Sequence, residues 1–567
     1  MDHHPPFPFA RLPEEIQMCI LLNLEAPDIL RFREVSKAFS KLASATAIEY
    51  KVQLDIAGMV DNPHHGSPLI ERYMKLLQYQ DGWKNTVLNI DSNVSAPIAI
   101  DIGFGLSWEW AGGVFPYVVH SRSSESQQTL HLYRLGSSLR EVKSNEWIVG
   151  PDGLPDGYRM LGCGTDMAQD LLVLSLAPWP YNLENDDRVC ILQLLSLRRT
   201  DVPHPLASSH ILRGQRLLTD EPQTRSVRIC EDVVAYAIYN YDWEIEVWNW
   251  KTGTLLLRHR SILFHGFALL NESYLLTLTP QSEGLLAVYC IYSSDPALNS
   301  GAKIRRSGDA DLVLELMPFT NGAGCLTWLS HSPETTSADD IPPFNYDPDL
   351  SIFALYFKVH YVENPQLPVH SMRAESFLLI ASVPEVIRNL DRLRASADAD
   401  VSEPFTVGGD PPVLEWDEWG PSSTRLVAFK SLMRNTAPAV SRTRCAVVVR
   451  GPLRDDRFDH ILLLSAHRHA ALGACTTEGD DGDAEDAAAL VTYEDTITRP
   501  NVFRTPVHTT LPINVTCRKI PKHEAPDVEV GLFEDGLSVM YTDDGDDSVM
   551  SMDEGDTTPV ELLMFCV

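Results

Sequence analysis

The spacing of apolar side chains changes character once along this chain, near residue 84. Before that point it is helical. Ile16, Ile20 and Leu24 recur every four residues with Leu21 beside them, which predicts a helix opening at Pro13. Glu14 and Glu15 fall in its first turn, where the positive end of the helix dipole favours carboxylates. Pro27-Asp28 opens a second short helix carrying Leu30 and Phe32. Ser36 is placed to cap a third, with Phe39 and Leu42 three apart. Ile48, Val52 and Ile56 continue the period up to Gly58, a natural C-terminal stop. Ser67-Pro68 starts one more helix, with Tyr73, Leu76 and Leu77 on its apolar face and Gly82 at its end.

After residue 84, short apolar runs rich in Val, Ile, Leu and Tyr alternate with clusters of Gly, Pro, Asp and Ser. Leu171–Leu176, Val189–Leu197, Val233–Ile238, Ile245–Trp250, Tyr274–Leu278, Leu285–Ile291, Leu312–Leu316, Ile352–Val359, Phe377–Ala381, Cys445–Arg450 and Ile461–Leu464 each have the length of a strand. Many strands without intervening helices imply an all-β body: a sandwich, a barrel or a propeller. Val233–Ile238 and Glu244–Trp250 read as two strands joined by a short polar loop. Lys251-Thr252-Gly253 then turns the chain into a third, Thr254–Leu257. That ending is similar to a WD-type blade, and weaker echoes at Ala168-Gln169-Asp170 and Tyr274–Ile291 recur at about one blade per repeat. A propeller is therefore favoured, with a β-sandwich as the alternative. The stretches near 390–430 and 476–490 read as loop inserts. From about 523 the chain is acidic, and its last apolar stretch, Val560–Phe565, is a candidate closing strand.

Composition adds limits. The 567 residues exceed what one core organises, and 44% hydrophobic residues suffice to fill several. No run of about eighteen uncharged apolar residues occurs, and the N-terminus lacks a basic-then-apolar leader, so neither a membrane span nor secretion is expected. The ten cysteines are scattered singly, the usage of a reducing compartment, so the cytoplasm or nucleus is expected. A net charge of −32 argues against nucleic acid or an anionic membrane as partner.

The chemistry of an enzyme is missing. There is no phosphate-binding Gly-rich loop ending in Lys-Ser/Thr, no Gly-x-Ser-x-Gly elbow and no His-Glu-x-x-His helix. Cys163 lies between glycines without a base to activate it. Trp243, Trp248 and Trp250 are better explained by packing than by ligand stacking. No catalytic, cofactor-binding or metal residue is assigned, and no cofactor is expected. The basic residues Arg225, Arg228, Arg258, His259 and Arg260 are candidates for reading a phosphorylated target.

One segment points to a partner. Leu12, Pro13, Glu15, Ile16, Ile20, Leu21, Leu24, Asp28, Leu30, Val35, Ser36, Lys37, Phe39 and Leu42 follow an order that resembles the F-box: Leu-Pro, apolar residues at helical spacing, then Val-Ser-Lys-x-Phe and a closing Leu. Ile29 before Leu30, and Phe39 where Trp is common, are mild departures. Residues 49–62, and Val247–Gly253 within a β-rich body, are similar to fungal F-box proteins of the basidiomycete type. The resemblance implies a non-catalytic substrate receptor of a cullin-based ubiquitin ligase. Its F-box would bind an SKP-family adaptor, and through it a cullin, while the β body would hold an unknown protein target. The alternative it allows is a protein-binding scaffold outside any ligase. Leu12, Pro13, Ile16, Ile20, Leu24, Leu30, Val35, Phe39 and Leu42 would form the adaptor interface, several of them shared with the module's own core.

The expected organisation is thus a small all-α module at 8–62, a helical connector at 63–84, a β-rich body at 85–522 and an acidic region at 523–567.

Overall fold

The computed structural model describes residues 9–84, 113–542 and 561–566. Within the second span several shorter segments are left out, 293–302, 401–410 and 473–490 being the longest. The N-terminal helices are α1 (Glu14–Leu22), α2 (Ala26–Val35), α3 (Lys37–Ala43), α4 (Thr46–Ala57) and α5 (Leu69–Lys84). The punctuation expected at Ser36 and Gly58 is in place, whereas α5 continues two residues past Gly82, the expected stop. The Ser36 hydroxyl accepts a hydrogen bond from the Phe39 amide at 3.2 Å, capping α3. Gly58 ends α4 at φ 67°, a left-handed conformation that glycine adopts without steric penalty.

Helix α4 joins two cores. Its Ile48 and Val52, four apart, close a small cluster with Leu21, Ala26, Ile29, Leu42 and Ala43 of α1–α3. Its Tyr50 and Leu54, also four apart, point the other way into a cluster shared with α5 and the β body. The short strand Met59–Asp61 then pairs antiparallel with Phe344–Tyr346 of the body. The helical region is therefore built into the body rather than tethered to it.

The rest of the described chain is dominated by seven sheets of three or more strands. The first holds Val114–Ser121, Ser124–Arg134 and Asn145–Val149. The second holds Tyr158–Asp166, Leu171–Pro178, Val189–Ser196 and Ile211–Arg216. The third runs from Gln223–Cys230 through Val233–Asn240 and Asp242–Asn249 to Thr254–Ser261. The fourth includes Phe267–Leu269, Tyr274–Leu278, Leu285–Cys290 and Leu312–Glu315. The fifth is centred on Ile352–Val362 and Met372–Ser382. The sixth comprises Ala439–Ser441, Arg444–Arg450, Phe458–Ala466 and Ile513–Pro521. The seventh comprises Asp527–Phe533, Gly536–Thr542 and Glu561–Cys566. Each of the eleven runs singled out by sequence falls on one of these strands, four of them running one residue past its end.

Side-chain alternation shows how the sheets stack. Val234, Tyr236 and Ile238 bury against the second sheet, with Leu171, Val173 and Leu192. Val233, Ala235 and Ala237, one residue out of phase, bury against the fourth, with Phe267, Leu275 and Tyr289. The same relation links first to second, fourth to fifth, fifth to sixth and sixth to seventh, each pair sharing an apolar cluster. Sheets in chain order, each packed face to face on the next, form a β-propeller, and the sandwich alternative fails because a sandwich has two layers only.

A buried ion pair links the first sheet to the seventh. Arg140, fully buried in the turn after the first sheet's second strand, donates from Nη1 to Glu534 at 2.9 Å and to Asp535 at 3.1 Å in the seventh sheet's hairpin turn. Arg134 pairs with Asp340 nearby.

The sequence reading needs correction in the 390–430 region. Its described residues are mostly helix and strand, α6 (Val383–Asp400), α7 (Trp416–Ser423) and the strand Thr424–Phe429, while 401–410 lie outside the described residues. Helix α6 buries Val383, Val386 and Leu390 at helical spacing, and the Tyr274 hydroxyl donates to Asp391 at 2.6 Å. Helix α7 starts with a reciprocal capping box between Glu415 and Glu418. Its Trp419, fully buried, donates from Nε1 to the Glu315 carbonyl at 2.8 Å. The acidic C-terminal region likewise contains an unexpected hairpin, Asp527–Phe533 with Gly536–Thr542, onto which the anticipated last strand pairs as Glu561–Cys566. The 476–490 stretch lies outside the described residues.

Candidate protein-binding surface

In α1 the inward side chain is Leu21, 1% exposed, with Met18 half-buried beside it. One helical step round, Ile16 and Ile20 are 46% and 39% exposed. The apolar stripe read from the sequence is therefore the outer face of the helix. Val35, the last residue of α2, is 67% exposed. Pro13 is exposed at the α1 N-cap, and its carbonyl accepts from the Ile16 and Gln17 amides. Leu12, Leu24, Leu30 and Phe39 are half-buried, whereas Leu42 is buried in the module's own cluster. Leu22, 37% exposed, was not singled out by sequence; it lies two residues from Ile20, off the four-residue period.

The module is internally complete elsewhere. Phe9, Phe32 and Phe39 form an aromatic trio, with Phe32 and Phe39 stacked at 4.3 Å and Phe9 edge-on to both. A phenyl ring at position 39 thus has a defined partner in place of the commoner indole. Ile29, the other departure, is fully buried. The Asp55 carboxylate of α4 accepts from the Ala26 amide at 3.1 Å, and Arg33 of α2 pairs with Glu49 of α4. Arg468, from the turn after the sixth sheet's third strand, reaches Glu25 at 2.8 Å, so the body braces the start of α2. Exposed apolar side chains on so small a unit, with its other faces closed, leave a surface suited to a partner's apolar groove.

The other candidates separate clearly. Arg258 and Arg260 share one face of the third sheet, directly opposite Glu246 and Glu244. Arg258 Nε donates to Glu246 at 2.8 Å and Arg260 Nε to Glu244 at 2.7 Å. Both carboxylates are fully buried. Glu246 also accepts from the Tyr236 hydroxyl at 2.6 Å and from Trp248 Nε1 at 3.2 Å. These arginines already carry counter-charges. His259 points to the opposite face, buried against Tyr289. Arg228 sits half-buried on Gln223–Cys230, with two strands between it and Thr254–Ser261, and the Arg225 side chain lies outside the described residues. The structure does not gather the five into one phosphate-reading cluster.

Trp250 is fully buried, donates to the Glu231 carbonyl at 3.0 Å and meets His204 edge-on. Cys163 is buried, and desolvation pushes its thiol up to about 12, the reverse of what a nucleophile needs. Among the described residues no group of three or more His, Cys, Asp or Glu is placed to hold a metal ion. Among them, too, no helix is long and apolar enough to cross a membrane.

The F-box domain family matches residues 9–46, which span α1 to α3 and the first residue of α4. No curated protein matches the chain. Among solved structures it is similar to the crystal structure of the C-terminal WD40 domain of Sif2. The identity is 8% and the TM-score 0.32, over 82% of this chain and 95% of that one.

Proposed function

We propose that this chain is the substrate-recognition subunit of an SCF-type, cullin-based ubiquitin ligase. Its F-box binds an SKP-family adaptor, which links it to a cullin, and its propeller holds a protein target. The observation that carries the reading is the exposure of Ile16, Ile20, Leu22 and Val35 on a module whose buried apolar side chains form its own core, within the segment that matches the F-box domain. The propeller supports the second half of the reading, since rigid rings of sheets present rim loops to other proteins. In this reading the chain supplies position only. Ubiquitin transfer takes place on the conjugating partner, and the setting is cytoplasm or nucleus. The likeness of residues 49–62 and 247–253 to fungal F-box proteins points in the same direction.

The test is affinity for a purified SKP-family adaptor. Removing residues 1–62 would be a poor control, because Tyr50, Leu54 and Met59 belong to the core shared with the sixth and seventh sheets. The double substitution Leu12→Ala, Pro13→Ala leaves that core intact. It is expected to weaken adaptor binding by about 2 kcal/mol, roughly thirtyfold, with the thermal transition of the body retained. Undiminished affinity in the double variant would remove the F-box interface from the account. Adaptor capture without ubiquitin transfer to any bound target would favour the scaffold alternative.

A further inference from the structure

Where α4 and α5 lie over the sixth sheet they leave a cavity of about 80 Å³. Its floor follows from strand register. Arg444 is directly opposite Ser465, which is directly opposite Asn514, so the three share one face across three strands. Thr516 lies two residues further along, and Gln80 and Trp83 of α5 form part of the wall.

Arg444 is an unusual occupant of such a place, being only 8% exposed. Trp83 lies 4.1 Å from its guanidinium carbon, and the rings of Tyr346 and Tyr79 are 5.4 Å and 5.6 Å away. Nη1 donates to the hydroxyls of Tyr346 and Tyr79. Both hydroxyls are themselves directed at the Glu534 carbonyl. No carboxylate among the described residues forms an ion pair with Arg444. Asp535 acts on it only at longer range and is engaged by Arg140 at 3.1 Å. No hydrogen bond from Nε or Nη2 is present among the described residues, and neither atom is wholly shut off from solvent. These two atoms make up one edge of the guanidinium, the two-pronged edge that matches a carboxylate or phosphate. His467, also on the lining, contributes no charge, since burial pushes its imidazole down to about 3.

A buried guanidinium without a counter-charge is costly, and an anion supplied from solution removes that cost. We infer that this cavity is a binding site for a small oxyanion, a carboxylate or phosphate group held two-pronged by Arg444, with Ser465 and Asn514 able to donate from the same face. The lining joins α4 and α5 to the sixth sheet, so a bound anion would stiffen the joint between the helical module and the propeller. The site stands independently of the ligase reading, because it uses none of the F-box surface residues.

The experiment is thermal unfolding of the full chain at pH 7 and fixed ionic strength, with chloride replaced stepwise by inorganic phosphate or by acetate. A saturating rise of about 1–3 °C is expected with at least one anion, and the one that acts identifies the ligand chemistry. Phosphate also stabilises proteins by exclusion from their surfaces, an effect that does not saturate. Ser465→Asp separates the two, because it places a carboxylate directly opposite Arg444. This variant is expected to melt above the unsubstituted chain in chloride and to lose the saturating response. Arg444→Lys keeps the charge but not the fork and is expected to weaken the response at least tenfold in anion concentration. A wild-type chain with no saturating response to either anion, or an undiminished response in both variants, would overturn the site.

Discussion

Helix α1 and the strand Val233–Asn240 are both rich in apolar residues, yet their side chains end in opposite surroundings. The strand lies between two sheets, so odd and even positions each find an apolar partner within the chain, and Val233 to Ala237 are all fully buried. The helix lies on one core only. Leu21 enters it, while Ile16 and Ile20 remain at 46% and 39% exposure. The body is thus completed by its own chain, and the helical module offers a surface that another chain can complete. Hydrophobicity alone does not separate these cases; the number of neighbouring layers does.

The comparison can be broken first at its buried side. Val247 is fully buried in the apolar cluster between the third and fourth sheets. Val247→Asp is expected to cost more than about 4 kcal/mol and to abolish the cooperative thermal transition. A variant that melts normally by circular dichroism would mean that these faces are not closed. The next largest effect is expected at the buried ion pair that links the first sheet to the seventh. Burial raises the Asp535 carboxyl, whereas Arg140 and Arg442 hold that of Glu534 below its ordinary value. Arg140→Met leaves both acids without their principal counter-charge, at a cost of about 3–5 kcal/mol. Adding Asp535→Leu is expected to recover part of that loss. Additive losses in the double-mutant cycle would show that the pair does not couple first sheet to seventh.

The same contrast explains what could be read from the sequence. A strand buried on both sides is a short, unbroken apolar run between turn residues, so Leu171–Pro178, Val189–Ser196 and Val233–Asn240 were legible as strands. The turn Lys251-Thr252-Gly253 was legible too, because it needs a glycine, and Gly253 has φ 72° there. Helix α7 was not. Its start is signalled by Glu415 and Glu418, which resemble ordinary surface acids, and its two tryptophans read as loop residues until Glu315 appears as a partner. The ion pair between the first and seventh sheets left no trace because Arg140 and Asp535 are 395 residues apart and neither is marked by its neighbours. At the module, the period of four identified the Ile16/Ile20 stripe but not its direction. Direction depends on where α4 lies, and only the three-dimensional arrangement supplies that. Arg444 was invisible for a related reason: its isolation from carboxylates is a property of the fold.

The smallest expected effect bears most directly on the exposed side. Ile16→Asp with Ile20→Asp adds two charges to α1 on a face that water already reaches, while Leu21, Ala26, Ile29 and Leu42 keep their contacts. The new carboxylates lie within the first two turns of the helix, and the one nearer the N-terminus is favoured by the helix dipole. Unfolding free energy is therefore expected to change by no more than about 0.5 kcal/mol, far below the cost at Val247 or Arg140. A drop in the melting temperature comparable with that of Arg140→Met would show that Ile16 and Ile20 pack inside the protein. A stable variant that no longer binds the adaptor would locate the missing neighbour of α1 on another chain.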